Sequence, residues 1–180
     1  MSSKIRIALI ALAATALLAA GANAAAASAA DKKTKTLTDH RLKVTVTIPA
    51  AWKRIPHRGG DSFGYAGKSG WMEFGASSES GGLRHTCRMA AVGTASIHIY
   101  GKHPHVTFRK IDGRPGCLIM PSRDAPRTAV VENGPKFQDA EALVAYRRPV
   151  YDVDRRWPLL VIFGSRGHIR SIVRSVRLHH

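Results

Sequence analysis

Acidic residues, aromatic residues and cysteines are all scarce in this 180-residue chain. Only 12 residues are Asp or Glu, against 28 Lys and Arg, so paired carboxylates for general acid–base catalysis have few candidates. Aromatic residues make up 7% of the chain and do not alternate with the basic residues, which disfavours base stacking and hence nucleic-acid binding. The sequence therefore indicates no catalytic constellation, and an enzyme is the less favoured class.

The two cysteines, Cys87 and Cys117, do not form a C-x-x-C motif. A redox or metal-binding thiol pair is therefore the weaker interpretation. Because an exported chain reaches compartments where disulfides persist, we predict that Cys87 and Cys117 form a disulfide bond.

No apolar run reaches the roughly 20 residues that cross a bilayer, although a shorter one follows two basic residues near the N-terminus. It extends over residues 7 to about 20 and gives way to small residues. This order is typical of a secretory signal peptide, so residues 1–30 are predicted to be cleaved, after Ala24 or Ala29. We therefore expect a periplasmic or secreted protein with no transmembrane segment in its mature part.

Most of the basicity belongs to the mature part, because removing residues 1–30 lowers the formal charge only from +16 to +14. Residues 31–36 are polar and charged, which predicts a flexible lead-in. The remaining residues, 37–178, are enough for one conventional hydrophobic core and are interpreted as a single domain.

Several strands are predicted from alternating or short apolar runs bounded by turn residues. The second of two hairpins turns at Asp112-Gly113, a dipeptide that tolerates the positive φ of tight turns. The predicted strands and hairpins cover residues 42–48, 63–74, 106–120, 140–146 and 159–163.

Two helices complete the expected fold. The central helix covers residues 83–100 and buries Cys87, and the second includes residues 169–176, where four apolar residues recur at helical spacing. Residues 121–138 are predicted to be a long loop. Strands interrupted by helices at two points favour an α+β fold with a mainly antiparallel sheet, a central helix and a C-terminal amphipathic helix.

The order of these elements resembles the PsbP-like superfamily of small exported α+β proteins. The resemblance lies in the opening strand with Pro49-Ala50-Ala51-Trp52 after it, the central helix, the later strands, and the closing Ile172-Val173-Arg174-Ser175-Val176. It covers about residues 37–178 and implies a non-enzymatic accessory or binding role, without transferring any site residue. Lipoprotein members of the superfamily carry a lipidation cysteine that this chain lacks.

Arginine provides the strongest functional signal. One set recurs at helical spacing near the C-terminus, and a pair flanks a predicted strand; we interpret them as one basic face that attracts polyanions. The set is Arg147, Arg148, Arg166, Arg170, Arg174 and Arg177. The expected partner is an anionic envelope polymer, a lipid surface or an acidic protein, and the competing explanation is a charged surface that only maintains solubility.

Three histidines, His98, His103 and His105, suggest an alternative function. Imidazoles at positions i and i+2 of an extended segment face the same side and could share a copper or zinc ion. Pro104 and the lack of a nearby carboxylate favour a polar loop instead. The two hypotheses are therefore an exported, non-enzymatic binding protein without a cofactor and a periplasmic transition-metal-binding protein.

Overall fold

The structure is a computed structural model that describes residues 33–55, 63–78, 81–93, 98–152 and 155–179. The predicted signal peptide lies outside these ranges. Among the described residues, Lys33, Thr34 and Pro49–Ala51 group apart from the main compact unit, to which Lys35–Ile48 and the described residues from Trp52 onward belong.

The described residues form eleven strands and two helices. The strands are β1 (Thr34–Asp39), β2 (Val44–Pro49), β3 (Lys53–Ile55), β4 (Phe63–Ala66), β5 (Trp71–Ser77), β6 (His105–Ile111), β7 (Arg114–Met120), β8 (Arg127–Ala129), β9 (Lys136–Asp152), β10 (Arg155–Ser165) and β11 (Arg177–Leu178). The helices are α1 (Leu83–Val92) and α2 (Ile169–Ser175).

These strands make a small and a large sheet. The small sheet has the order β1-β2-β11, and the large sheet has the order β3-β4-β5-β10-β9-β7-β6, with β8 paired to β9 outside this path. Every pairing whose register is described is antiparallel. The long strands β9 and β10 therefore lie in the middle of the large sheet.

The larger hydrophobic cluster covers one face of β9 and β10, the face that carries Val144 and Ile162. Strand β2 contributes Val46 to this cluster and α2 contributes Ile172, so the small sheet and α2 pack on the large sheet. Trp52, which follows β2, is 1% exposed in the same cluster.

The opposite face of the same strands carries a second cluster, because successive side chains of a strand point to opposite faces. Leu143 of β9 and Val161 of β10 pack there with residues of α1. Cys87 of α1 and Cys117 of β7 are fully buried in this cluster and are joined by a disulfide, with their Cα atoms 6.4 Å apart. The predicted disulfide is confirmed.

The predicted α+β class, with a central helix and a C-terminal amphipathic helix, is wrong, because the described residues are mostly antiparallel strand and both helices are short. Helix α1 stops at Val92, where Gly93 adopts a φ of 75°, a left-handed value that a helix cannot continue through. Helix α2 stops at Ser175, because Val176 has an extended ψ of 132° and leads into β11.

The strand predictions were closer to the structure. Both predicted hairpins are present, and Asp112 and Gly113 adopt positive φ values of 49° and 72° in the second. The predicted loop at residues 121–138 is wrong in two places, because residues 127–129 form β8 and pair with residues 136–138 of β9. Strand β1 begins at Thr34, inside the expected lead-in. Polar, half-exposed strands of this kind carry little apolar alternation and are hard to recognise from sequence.

Reduction of the Cys87–Cys117 disulfide should lower the free energy of unfolding by about 3.5 kcal/mol. The reason is that the bond closes a loop in the unfolded chain and so lowers the conformational entropy of the unfolded state. The two cysteines are separated by 30 positions in sequence. Urea denaturation monitored by tryptophan fluorescence, with and without reductant, measures the difference. The Cys87→Ala, Cys117→Ala double variant should lose at least as much stability without reductant, and an unchanged midpoint would contradict the expectation.

Candidate anion-binding site

The arginines near the C-terminus do not form one helical stripe. Arg170 and Arg174 lie in α2, whereas Arg166 lies in the turn before it and Arg177 lies in β11. All four side chains are exposed. The predicted spacing therefore holds only over one helical turn, from Arg170 to Arg174.

Four of the six predicted arginines line two separate pockets, and Arg174 and Arg177 line neither of them. Arg166 and Arg170 line the first pocket together with Gln138, whereas Arg147 and Arg148 line the second. Gln138 and Arg147 belong to the same strand, and its regular part between them, residues 139–145 at about 3.3 Å each, separates the pockets by roughly 20 Å. One small ligand cannot contact both pockets.

The first pocket, here named the arginine cleft, is open and has a volume of about 730 Å³. Four permanent cations and one histidine line it, and none of its described lining residues is a carboxylate. An open pocket with this charge attracts anions, and guanidinium groups donate paired hydrogen bonds to phosphate and carboxylate oxygens. The five residues are His105, Arg127, Lys136, Arg166 and Arg170.

Gln138 organises one wall of the arginine cleft. Its side-chain N–H groups donate to the carbonyls of Ser122, Arg123 and Ala125 at 3.4, 3.3 and 3.0 Å. Its side-chain oxygen accepts a hydrogen bond from the Arg166 guanidinium at 2.9 Å. The backbone N–H of Arg166 also donates to the Gln138 carbonyl at 2.9 Å. Gln138 thus fixes both the loop between β7 and β8 and the turn that carries Arg166.

Strand pairing supplies the other two cations of the cleft. In the β8–β9 ladder, Arg127 is opposite Gln138 and Ala129 is opposite Lys136. Arg127 therefore lies beside the residue that holds Arg166, although 39 positions separate the two arginines in sequence. Sequence reasoning missed Arg127, Lys136 and Gln138, because this neighbourhood depends on the pairing of a three-residue strand.

Asp139, the residue after Gln138 in β9, is a carboxylate that is bonded inside the fold. One of its oxygens accepts a hydrogen bond from the Trp71 indole at 3.2 Å, and the other accepts from the Thr128 hydroxyl at 2.8 Å. Asp139 is not among the lining residues of the arginine cleft. Its hydrogen bonds instead connect β5, β8 and β9 beneath the cleft.

The three histidines are not brought together as a metal site. His98 and His103 are exposed in the segment before β6, and His105, the first residue of β6, lines the arginine cleft. Among the described residues, no group of three His, Cys, Asp or Glu side chains is arranged to hold a metal ion. Binding of copper or zinc stays a prediction.

Glu141 is a buried carboxylate, 5% exposed, that accepts a hydrogen bond from the Tyr100 hydroxyl at 2.7 Å. Burial, reinforced by the charge of Glu141, raises the pKa of Tyr100 far above its usual range, so the phenol stays protonated and keeps donating. Neither residue lines the arginine cleft or the second pocket. The pair therefore satisfies polar groups in the core.

No protein-family model matches the chain, and no curated protein matches it significantly in sequence. The resemblance to the PsbP-like superfamily therefore stays a prediction from the order of elements. Within the described ranges, no helix combines the length and the apolar composition needed to span a membrane.

Asp124 lies in the loop that Gln138 holds, and its carboxylate accepts hydrogen bonds from the Ser122 hydroxyl and from the Lys102 backbone N–H. The Ser122 bond, with the Lys102 bond second, lowers the pKa of Asp124 below the usual aspartate value. The Ser122→Ala variant should raise this pKa, as measured by the NMR titration of the side-chain carboxyl.

The sign of the pH effect follows from the lowered pKa of Asp124. Its stabilising hydrogen bonds are fully present above the unfolded-state pKa and are lost as the pH falls through the lower folded-state value. An Asp124 midpoint that does not respond to Ser122→Ala would contradict the assignment.

Proposed function

We propose that this chain is an exported, non-enzymatic binding protein whose arginine cleft holds anionic groups of a cell-envelope polymer. The observation that carries the proposal is the convergence of four cations from β8, β9 and the α2 region on one open pocket. Without a carboxylate among the described lining residues, the cleft offers this charge to a ligand.

The shape of the arginine cleft favours a polymer over the other anionic partners. A pocket of about 730 Å³ admits the charged groups of a flexible chain, whereas a flat lipid surface meets only the ends of the side chains. Repeated phosphate or carboxylate groups would engage Arg127, Arg166 and Arg170 through paired hydrogen bonds. Binding of this kind weakens steeply with salt.

Export is the part of the proposal that rests on the N-terminal sequence. A basic start, an apolar run and small residues precede the mature chain over residues 1–30. The Cys87–Cys117 disulfide supports this assignment, because such bonds persist in oxidising compartments and are rare in the cytosol.

The Arg166→Gln, Arg170→Gln double variant tests the arginine cleft. Losing two of the four cations should weaken binding of fluorescein-labelled polyphosphate at least about tenfold at low salt, since charge-assisted hydrogen bonds contribute about 1.5–3 kcal/mol each. Fluorescence anisotropy at low and high salt measures the affinity. The matched control is Arg88→Gln, Arg174→Gln, which removes the same charge from exposed positions outside the cleft.

The controls separate the cleft from net charge and from a lipid surface. Equal weakening in both double variants would show that only total charge matters and would exclude the cleft as the site. Vesicles containing phosphatidylglycerol form the second arm of the experiment. Binding to these vesicles without binding to polyphosphate would overturn the polymer assignment, whereas the reverse result supports it.

A further inference from the structure

The second pocket is formed where β9 and β10 lose their regular register. Trp157 of β10 pairs with Val150 of β9, and the next pair along the strands joins Leu159 to Ala145. A single residue of β10 therefore faces four residues of β9, residues 146–149. A bulge of this size bends its strand, and bulges are common where side chains are redirected toward binding sites.

Two prolines explain why the ladder is interrupted at this point. Pro149 lies in the bulged segment of β9, and Pro158 is the single residue of β10 opposite to it. Neither has a backbone N–H to donate to the ladder. The extra residues include Arg147 and Arg148, and both of their side chains are exposed.

The pocket beside the bulge, here named the bulge pocket, has a volume of about 390 Å³. Its basic residues come from four places in the chain, and none of its described lining residues is a carboxylate. Lys43 precedes β2, Arg114 begins β7, and His179 follows β11. The basic residues are Lys43, Arg114, Arg147, Arg148 and His179.

Arg114 is the buried cation of the bulge pocket, with 6% of its surface exposed. Its guanidinium donates to the Leu178 carbonyl at 3.3 Å, a neutral acceptor. A buried cation is costly unless an opposite charge compensates it. With Lys43, Arg147 and Arg148 beside Arg114 in the same pocket, an anion there would supply that opposite charge.

Two carboxylates near the bulge pocket are bonded to backbone N–H groups. Asp112 accepts a hydrogen bond from the Leu178 amide at 2.8 Å, and Asp39 accepts from the Leu42 amide at 2.8 Å. Neither carboxylate lines the pocket. Their hydrogen bonds hold β11 and the turn before β2 in place, which positions the pocket walls.

Tyr146 forms a neutral wall of the bulge pocket. Its hydroxyl donates to the Leu42 carbonyl at 2.7 Å. Burial raises the pKa of Tyr146 above its usual range, with a smaller contribution from the charge of Asp39. The phenol therefore stays protonated and adds no negative charge that would repel an anion.

We propose that the bulge pocket binds a phosphate-class oxyanion, either inorganic phosphate or the phosphate group of a small monoester, through Arg114, Arg147 and Arg148. Guanidinium forks match two oxygens of such a group, and Lys43 adds a fourth full charge. The volume of about 390 Å³ leaves room for a phosphate group with or without a small substituent. The site is independent of the arginine cleft, because the two pockets lie at different ends of β9.

Isothermal titration calorimetry of the full, oxidised chain with inorganic phosphate, in a buffer without other oxyanions, tests this site. The Arg147→Gln, Arg148→Gln variant should bind phosphate at least about tenfold more weakly, because two charge-assisted contacts are removed. Both residues are exposed, so the variant is expected to fold, and its circular dichroism checks this. Arg114→Lys, which loses the guanidinium fork but keeps the charge, should also weaken binding.

The Arg166→Gln, Arg170→Gln variant is the matched control and should keep its phosphate affinity within about twofold, because neither residue lines the bulge pocket and salt screens distant exposed charges. Titration with glycerol 3-phosphate forms the second arm of the experiment. If it binds more tightly than inorganic phosphate, the ligand is a phosphate monoester, and if the two bind equally, the ligand is inorganic phosphate. No saturable binding of either ligand, or equal affinity in the parent and the Arg147→Gln, Arg148→Gln variant, would overturn the proposal. Polyphosphate binding by the arginine cleft is measured in its own experiment, so a negative result for one proposed site leaves the other proposal intact.

Discussion

Burial of both faces of β9 and β10 is the constraint on which the rest of the structure depends. A strand covered on both faces needs apolar residues at nearly every position, and residues 142–145 and 159–162 meet this need. Beyond the covered stretch, β9 carries Gln138 toward its beginning and Arg147 toward its end. Both pockets therefore lie where the double covering of the sheet stops.

This constraint also explains where the charges of the chain are found. An isolated ion in the covered part of the sheet would lose several kcal/mol of hydration, so the cations of a basic protein with this core lie outside the covered part of the sheet. Glu141 is tolerated inside because Tyr100 donates to it. Arg114 is the buried cation at the margin, and it lies where the bulge opens the sheet toward solvent.

The parts of the fold that were predicted correctly depend on local chemistry. Asp112-Gly113 specifies a tight turn by itself, and the pairing of Cys87 with Cys117 follows from there being two cysteines. The fold class was wrong because β1, β3, β8 and the ends of β9 and β10 were not recognised as strands, and because the central helix ends at Val92. The polar ends of β9 and β10 carry no alternation, so more than half of β9 could not be recognised.

In the candidate sites, too, the residues found from the sequence follow a local pattern, and the residues that were missed reach the site through contacts between distant segments. Arg166 and Arg170 were found from their spacing, whereas Arg127 reaches the arginine cleft only through the pairing of β8 with β9. Arg114 likewise reaches the bulge pocket through the packing of β7 beside β11, which the sequence pattern does not show. A local signal for the bulge does exist, because a proline follows Arg147-Arg148 and another follows Trp157 in the partner strand. Neither proline can donate a backbone hydrogen bond to the ladder, so the basic pair directly before Pro149 leaves it.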